Sequence, residues 1–370
     1  MRRRQLATRL VMVLAVWLLL AGMAGGVAPF AAAAGARSGS PDSAASFSTS
    51  GALRGVAATS ATNAWAVGST GSKTLIVHWN GKTWAQVPSP GGALYGVAAT
   101  SARSAWAVGS TAKGKALIER WNGQAWAQVP SPAPTGSVFY GVAATSARSA
   151  WAVGSTAKGK ALIERWNGQV WTQVHSPASS GNLSSVTATS ASNAWAVGSA
   201  GSKTLIIHWN GSAWKQVPSP SPEASTGLAD FLNGVAITAA GSAWAVGDIS
   251  CGCGPGFSLV ERWNGKVWTQ VPSPTPGGGT VMFGVVALSA RSAWAVGATG
   301  SGDGPTKALV LRWNGTAWQR VSSPSPRASA ELSGVGATSA HNAWAVGSTS
   351  NSHHGSFQTL ILRWNGTAWG

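Results

Sequence analysis

The five-residue phrase AWAVG occurs seven times in this chain. Each copy is followed by WNG and then, five residues after that second tryptophan, by a third. The AWAVG tryptophans are Trp65, Trp106, Trp151, Trp195, Trp244, Trp294 and Trp344, spaced 41 to 50 residues apart. The WNG tryptophans are Trp79, Trp121, Trp166, Trp209, Trp263, Trp313 and Trp364, and the third set is Trp84, Trp126, Trp171, Trp214, Trp268, Trp318 and Trp369. Only Trp17 among the 22 tryptophans falls outside the pattern. A unit of this length repeated seven times cannot bury its apolar surface alone and has to stack on its neighbours. Indoles held at fixed places in such a unit belong to the scaffold.

Each unit reads as four short strands. In the first they are LRGVAATS (53–60, strand A), AWAVGS (64–69, B), TLIVHW (74–79, C) and TWAQV (83–87, D). Asn-Gly between C and D predicts a two-residue hairpin turn with positive φ at both central positions. The PSP that follows D ends the ladder, because proline donates no hydrogen bond. No helical periodicity of useful length follows the first 36 residues. The fold class predicted is therefore all-β: a seven-bladed β-propeller of four-stranded antiparallel blades over residues 53–370. Strand A, made of small residues, is expected innermost where blades crowd, with the indoles outside it.

The chain opens with Arg2, Arg3, Arg4 and Arg9, an apolar run from Leu10 to Ala24 and an alanine-rich stretch. That is the layout of a signal peptide, here 1–36 with cleavage after Ala34 or Ala36. The alternative is an uncleaved anchor, since the run approaches the roughly 20 residues that span a bilayer. No Cys follows directly, which argues against a lipid anchor. Export predicts a secreted or cell-surface protein, expected as a monomer without stable membrane insertion. Residues 37–52 form a flexible leader. The last unit stops one residue into strand D, so either the sequence is truncated there or the leader near Ala45–Thr49 supplies the missing strand.

Against 9 Asp+Glu the chain has 26 Lys+Arg, and removing the four leading arginines leaves 22 − 9 = +13. The cations are spread one or two per repeat, without the cluster that tracks a phosphate backbone, so nucleic acid is not an expected partner. Weak attraction to anionic surfaces or polysaccharides is. Units 2 and 3 share 30 identical residues, Tyr95–Gln124 and Tyr140–Gln169, the mark of a recent duplication.

The AWAVG…WNGxxW…VPSP pattern resembles repeats of secreted bacterial propellers, near the Asp-box (sialidase-like) and kelch or galactose-oxidase-like superfamilies. Gly81, Thr83 and Trp84 match the second half of an Asp-box, but Trp79 stands at its Asp position. There is no kelch di-glycine and no GH…WD pair. The resemblance implies the fold; a sialidase-like activity would need a Tyr nucleophile, carboxylates and an arginine clamp. The chain has two tyrosines, Tyr95 and Tyr140, at equivalent places in the duplicated units. Glu119, Glu164 and Glu261 share one strand C position and are read as structural ion-pair partners. The basic residue before each WNG tryptophan (His78, Arg120, Arg165, His208, Arg262, Arg312, Arg363) is read as a cation stacked on a neighbouring indole. No catalytic residue, metal ligand or cofactor is assigned.

Cys251 and Cys253 form C-G-C in a loop of unit 5. In an exported protein a disulfide is the default, strained across one residue. A metal would need more ligands than His353 and His354, two units away, can offer, and Asp303 is a lone carboxylate.

Loop length varies on one face only. The A–B loops and C–D turns are uniform, whereas the B–C and D–A loops vary, and repeat scaffolds bind through their variable face. At the start of strand A an invariant apolar residue (Leu53, Leu94, Phe139, Leu183, Leu232, Met282, Leu332) precedes a variable one: Arg54, Tyr95, Tyr140, Ser184, Asn233, Phe283, Ser333. These should ring the channel mouth, and Arg54, Tyr95, Tyr140, Asn233 and Phe283 are the candidate ligand contacts. The competing reading is a solvated position that tolerates any residue. The function expected is a non-catalytic binding propeller for a glycan, cell wall or surface protein. Alternatives are a carbohydrate-active enzyme and a structural envelope protein.

Overall fold

A computed structural model describes residues 47–71, 73–224, 227–239, 241–250, 256–300, 304–351 and 356–370. Blade 1 is β1 (Ala52–Ser60), β2 (Asn63–Thr70), β3 (Lys73–Trp79) and β4 (Trp84–Gln86), hydrogen-bonded in that order. Five further sheets repeat this order of four antiparallel strands, and the seventh has three. The chain folds as a seven-bladed β-propeller. Both ends of the described chain run along the outer edge of the last blade. Arg363 and Gly370 exchange backbone hydrogen bonds of 2.7 and 3.1 Å, and the Thr359 N–H donates to the Thr49 carbonyl at 2.9 Å. Phe47 packs on the cluster formed by Leu53 and Trp344, as Val87 of blade 1 packs on the cluster around Trp65.

The core is divided among seven seams, one between each pair of neighbouring blades. At each seam the AWAVG indole of one blade meets the two other indoles of the next. Trp65 lies 4.8 Å from Trp121 and 5.2 Å from Trp126, the second pair nearly perpendicular at 89°. The same triangle recurs at Trp344 with Trp79 and Trp84 and at Trp294 with Trp364 and Trp369. Edge-to-face rings at this separation add to what burial alone contributes. Three tryptophans close in sequence thus serve two seams rather than one.

The basic residue of strand C clamps the triangle. The Arg120 guanidinium lies 5.1 Å from the Trp106 ring and 5.4 Å from the Trp166 ring of the next blade. Arg165, Arg262, Arg312 and Arg363 repeat the arrangement. In blades 1 and 4 the clamp is His78 or His208, stacked on Trp65 or Trp195. Burial lowers the pKa of both imidazoles, which therefore sit neutral at pH 7. One carbonyl serves both parts of the clamp: Ala147 O accepts from Trp166 Nε1 at 3.2 Å and from Arg120 Nη2 at 3.3 Å. Ala191 and Ala290 do the same for the pairs Trp209–Arg165 and Trp313–Arg262.

The C–D connection differs from the two-residue hairpin expected. Trp79 pairs with Trp84, leaving a loop of four residues. The Asn80 side-chain oxygen accepts the N–H groups of Lys82 and Thr83, both at 2.9 Å, while Gly81 takes φ +96°. Asparagine is there to hydrogen-bond its own loop, and only the glycine needs the left-handed region.

Candidate functional site

At the channel mouth, the ladder between the first and second strands slips at the same place in every blade. Leu53 pairs with Gly68 and Gly55 with Val67, which leaves Arg54 as the extra residue of a β-bulge. The other blades leave Tyr95, Tyr140, Ser184, Asn233, Phe283 and Ser333 over at the same place. A bulge takes one residue out of the ladder and re-aims its side chain. All seven re-aimed side chains line one cup of 280 Å³ at the channel mouth.

Two glycines make the bulge possible. A Cβ on Gly68, the last residue of AWAVG, would overlap the Ala52 carbonyl. Just inside the bulge the inner strands of adjacent blades touch backbone to backbone. A Cβ on Gly96 would come within 2.8 Å of Tyr140 O, and one on Gly141 within 2.9 Å of the Ser185 Cα. The sequence reading placed the variable residues at the mouth but missed the bulge. Its signal was the glycine recurring inside two adjacent strands.

The cup is lopsided. Blades 1 to 3 supply a continuous arc: the Arg54 guanidinium lies 5.5 Å from the Tyr95 ring centre, and the Tyr95 and Tyr140 rings are 5.6 Å apart at 57°. Arg54 is exposed and both tyrosines are half-buried. Opposite them stand Ser184, Asn233, Phe283 and Ser333. Asn233 lines the cup, but its amide N–H groups donate to Asp248 Oδ1 and Met282 O, both at 3.0 Å. It braces the seam between blades 5 and 6, with its amide nitrogen already engaged. Among the described residues no carboxylate lines this cavity.

The acidic residues lie elsewhere. Glu119, Glu164 and Glu261 are fully buried in seams, at the position that is Val77, Ile207, Leu311 or Leu362 in other blades. The expected ion pairs are not what holds them. Glu119 and Glu164 accept from Ser89 Oγ at 3.4 Å and Ser131 Oγ at 2.9 Å, and neither oxygen of Glu261 has a partner. Burial pushes all three carboxyls up, Glu164 to about 7. Glu261 rises to about 8, through burial first and the neighbouring Asp230 second. Glu261 is mostly protonated at neutral pH and Glu164 titrates around it, and 0 % exposure keeps any substrate from all three acids. Among the described residues no group of three or more His, Cys, Asp or Glu could hold a metal ion. Cys251, Cys253, Asp303, His353 and His354, with the whole signal-like segment, lie outside the described residues.

No protein-family model matches the chain, and no curated protein does. Solved structures match its fold at low identity. Virginiamycin B lyase from Staphylococcus aureus is 15% identical with a TM-score of 0.58, over 85% of this chain and 97% of that one. YCF48 bound to D1 peptide is 15% identical with a TM-score of 0.50, over 75% of this chain and 79% of that one. A GH74 xyloglucanase from Xanthomonas campestris is 12% identical with a TM-score of 0.56, over 87% of this chain and 56% of that longer one. At these identities the likeness is one of fold: the chain is a β-propeller, distantly similar in structure to enzymes and to a peptide-bound protein alike.

Proposed function

We propose that this is an exported, non-catalytic binding propeller that takes a glycan in the cup at its channel mouth. The observation that carries the reading is the convergence of seven bulge residues on one cavity, with Arg54, Tyr95 and Tyr140 in register across three consecutive blades. Sugar rings present apolar C–H faces edged by hydroxyls. Two tyrosine rings offer apolar area at little entropic cost, and the guanidinium, phenols and serines offer hydrogen bonds around it. A cup lined by no carboxylate lacks the acid pair of a typical glycosidase, so it suits binding rather than glycosidic cleavage. Export rests on the basic, apolar and small-residue order of residues 1–36.

The test is a glycan array probed with wild type and with the Tyr95→Ala/Tyr140→Ala double variant. The double variant should keep the wild-type melting temperature within about 2 °C, because half-solvated rim residues contribute little to stability. It should lose at least about tenfold in affinity for any glycan the wild type retains, the scale of one good contact. Equal binding by both proteins would remove the cup as the site.

A further inference from the structure

We propose that the opposite face of the disc, built from the A–B loops and C–D turns, is a second binding surface, and that its partner is an acidic polysaccharide. The two kinds of loop form one continuous surface. Gly123 of a C–D turn lies against the Arg103 side chain of an A–B loop, and Gly168 and Gly315 lie likewise against Arg148 and Arg291. Each seam guanidinium that donates to an alanine carbonyl reaches across to the next blade's A–B loop and links the blades around the ring.

Charge on this face has a single sign. The five clamping arginines are half-buried in it, and Arg103, Arg148, Arg291, Lys82 and Lys266 stand exposed on it. No Asp or Glu occurs in any A–B loop, in any C–D turn or at either of the last two positions of a third strand. Among the described residues the acids are buried in seams or lie toward the cup side, as Glu223, Asp230, Asp248 and Glu331 do. In sequence these cations are scattered singly, which argues against nucleic acid and for no more than weak attraction to polysaccharides. Seven-fold closure gathers them.

The surface chooses among polyanions. Its indoles lie beneath the guanidinium groups and, apart from the half-buried Trp121 and Trp263, are buried, so it lacks the row of open rings on which single-stranded nucleic acid stacks successive bases. Cations set around a circle are met at few points by a stiff duplex rod, whereas a flexible chain bearing repeated carboxylates or sulfates can follow them. Contacts of this kind are mainly electrostatic, so affinity should fall steeply with salt. This surface is independent of the cup and stands whether or not the cup binds a glycan.

Two charge-matched triple variants test the proposal. Arg103→Glu/Arg148→Glu/Arg291→Glu alters the turn face, and Lys113→Glu/Lys115→Glu/Lys158→Glu alters exposed loops on the cup side by the same net charge. Binding of purified protein to polygalacturonate, dextran sulfate and a 20-base-pair DNA duplex (roughly the length that offers several phosphate contacts) is measured at two salt concentrations. The turn-face variant should lose at least about tenfold for one or both glycans and the control less than about threefold, since only the first removes local charge. Equal losses in the two triples would reduce the effect to net charge and overturn the proposal. So would wild type that binds neither glycan at low salt, or that binds the duplex more tightly than both.

Discussion

At the seams between blades the same three indoles meet again and again, whereas at the channel mouth the seven blades place five different residue types at one position. The two regions are built by the same strands, a few residues apart. At a seam, a side chain fills a volume bounded by two sheets, and in three seams the WNG indole shares a carbonyl with its clamp, so any change is felt by both blades. At the mouth, the bulge residue has left the ladder and lines an open cup, so strand pairing does not select it, and only Asn233 is tied into a seam. Repetition here marks what holds the ring together. Variation marks where the chain is free to acquire a ligand.

The comparison breaks first if a seam tryptophan proves dispensable. Trp126→Ala leaves a void against Trp65 and Trp121. It should cost roughly 3–5 kcal/mol, the range for large-to-small changes in close-packed cores. Denaturant unfolding measures it. A variant as stable as wild type that nevertheless fails to bind a ligand would move the tryptophans from scaffold to contact surface.

The seams have their own exceptions in the three buried acids, and these sharpen the contrast through pH. Folded, Glu261 keeps its proton to about pH 8 and Glu164 to about pH 7, whereas in the unfolded chain both ionise near 4.5. Between those values the folded state binds more protons than the unfolded one, so stability falls as pH rises. The contribution is complete below about 4.5 and gone above about 8, with a slope of at most ~1.4 kcal/mol per pH unit for each group. Glu261→Leu installs the residue that blades 6 and 7 carry there as Leu311 and Leu362. It should gain about 2–3 kcal/mol at pH 8.5 and clearly less at pH 5, because the cost of giving the ionised carboxylate a proton on folding grows with each pH unit above the unfolded value. Urea titrations at the two pH values read the difference. A gain independent of pH would mean that the carboxyl is not the cause.

Much of this architecture was legible in the sequence because tryptophan is conspicuous and the repeat is long. Four strands per unit, seven units, the innermost strand and the identity of the rim residues all follow from AWAVG, WNG and the one-sided loop variation. What stayed hidden depends on relations between blades. Trp121 and Trp126 sit beside Trp106 in sequence but pack on Trp65, a neighbour set by the rotation from blade to blade rather than by local order. The bulge is a count of two residues against one, visible only when both strands are paired. In sequence, Glu119 and Glu164 lie mid-strand and away from the axis, which points to structural ion pairs. Here serine hydroxyls from the preceding linkers, Ser89 and Ser131, take the place of the cations.

The finest cut falls between two consecutive residues of blade 3. Tyr140 is the bulge residue and Gly141 the point where the strand meets the backbone of blade 4. Tyr140→Ser copies what blade 4 has as Ser184, although the Asn182 amide that donates to Ser184 Oγ at 3.3 Å is replaced by Val138 in blade 3, so the new hydroxyl is left to the water of the cup. The half-buried ring loses its contact with Tyr95, and the cost should stay within about 0.5 kcal/mol, as for most substitutions away from packed features. Gly141→Ala adds one methyl group, but 2.9 Å from the Ser185 Cα there is backbone and no flexible side chain to give way. That change should cost about 1–3 kcal/mol, the range for overpacking a close-packed site. Thermal unfolding of the two variants side by side decides the matter. If removing a whole phenol is tolerated while adding a single methyl is not, the boundary between scaffold and binding rim runs through one peptide bond; if Tyr140→Ser is the costlier, the rim is part of the scaffold and its variety needs another explanation.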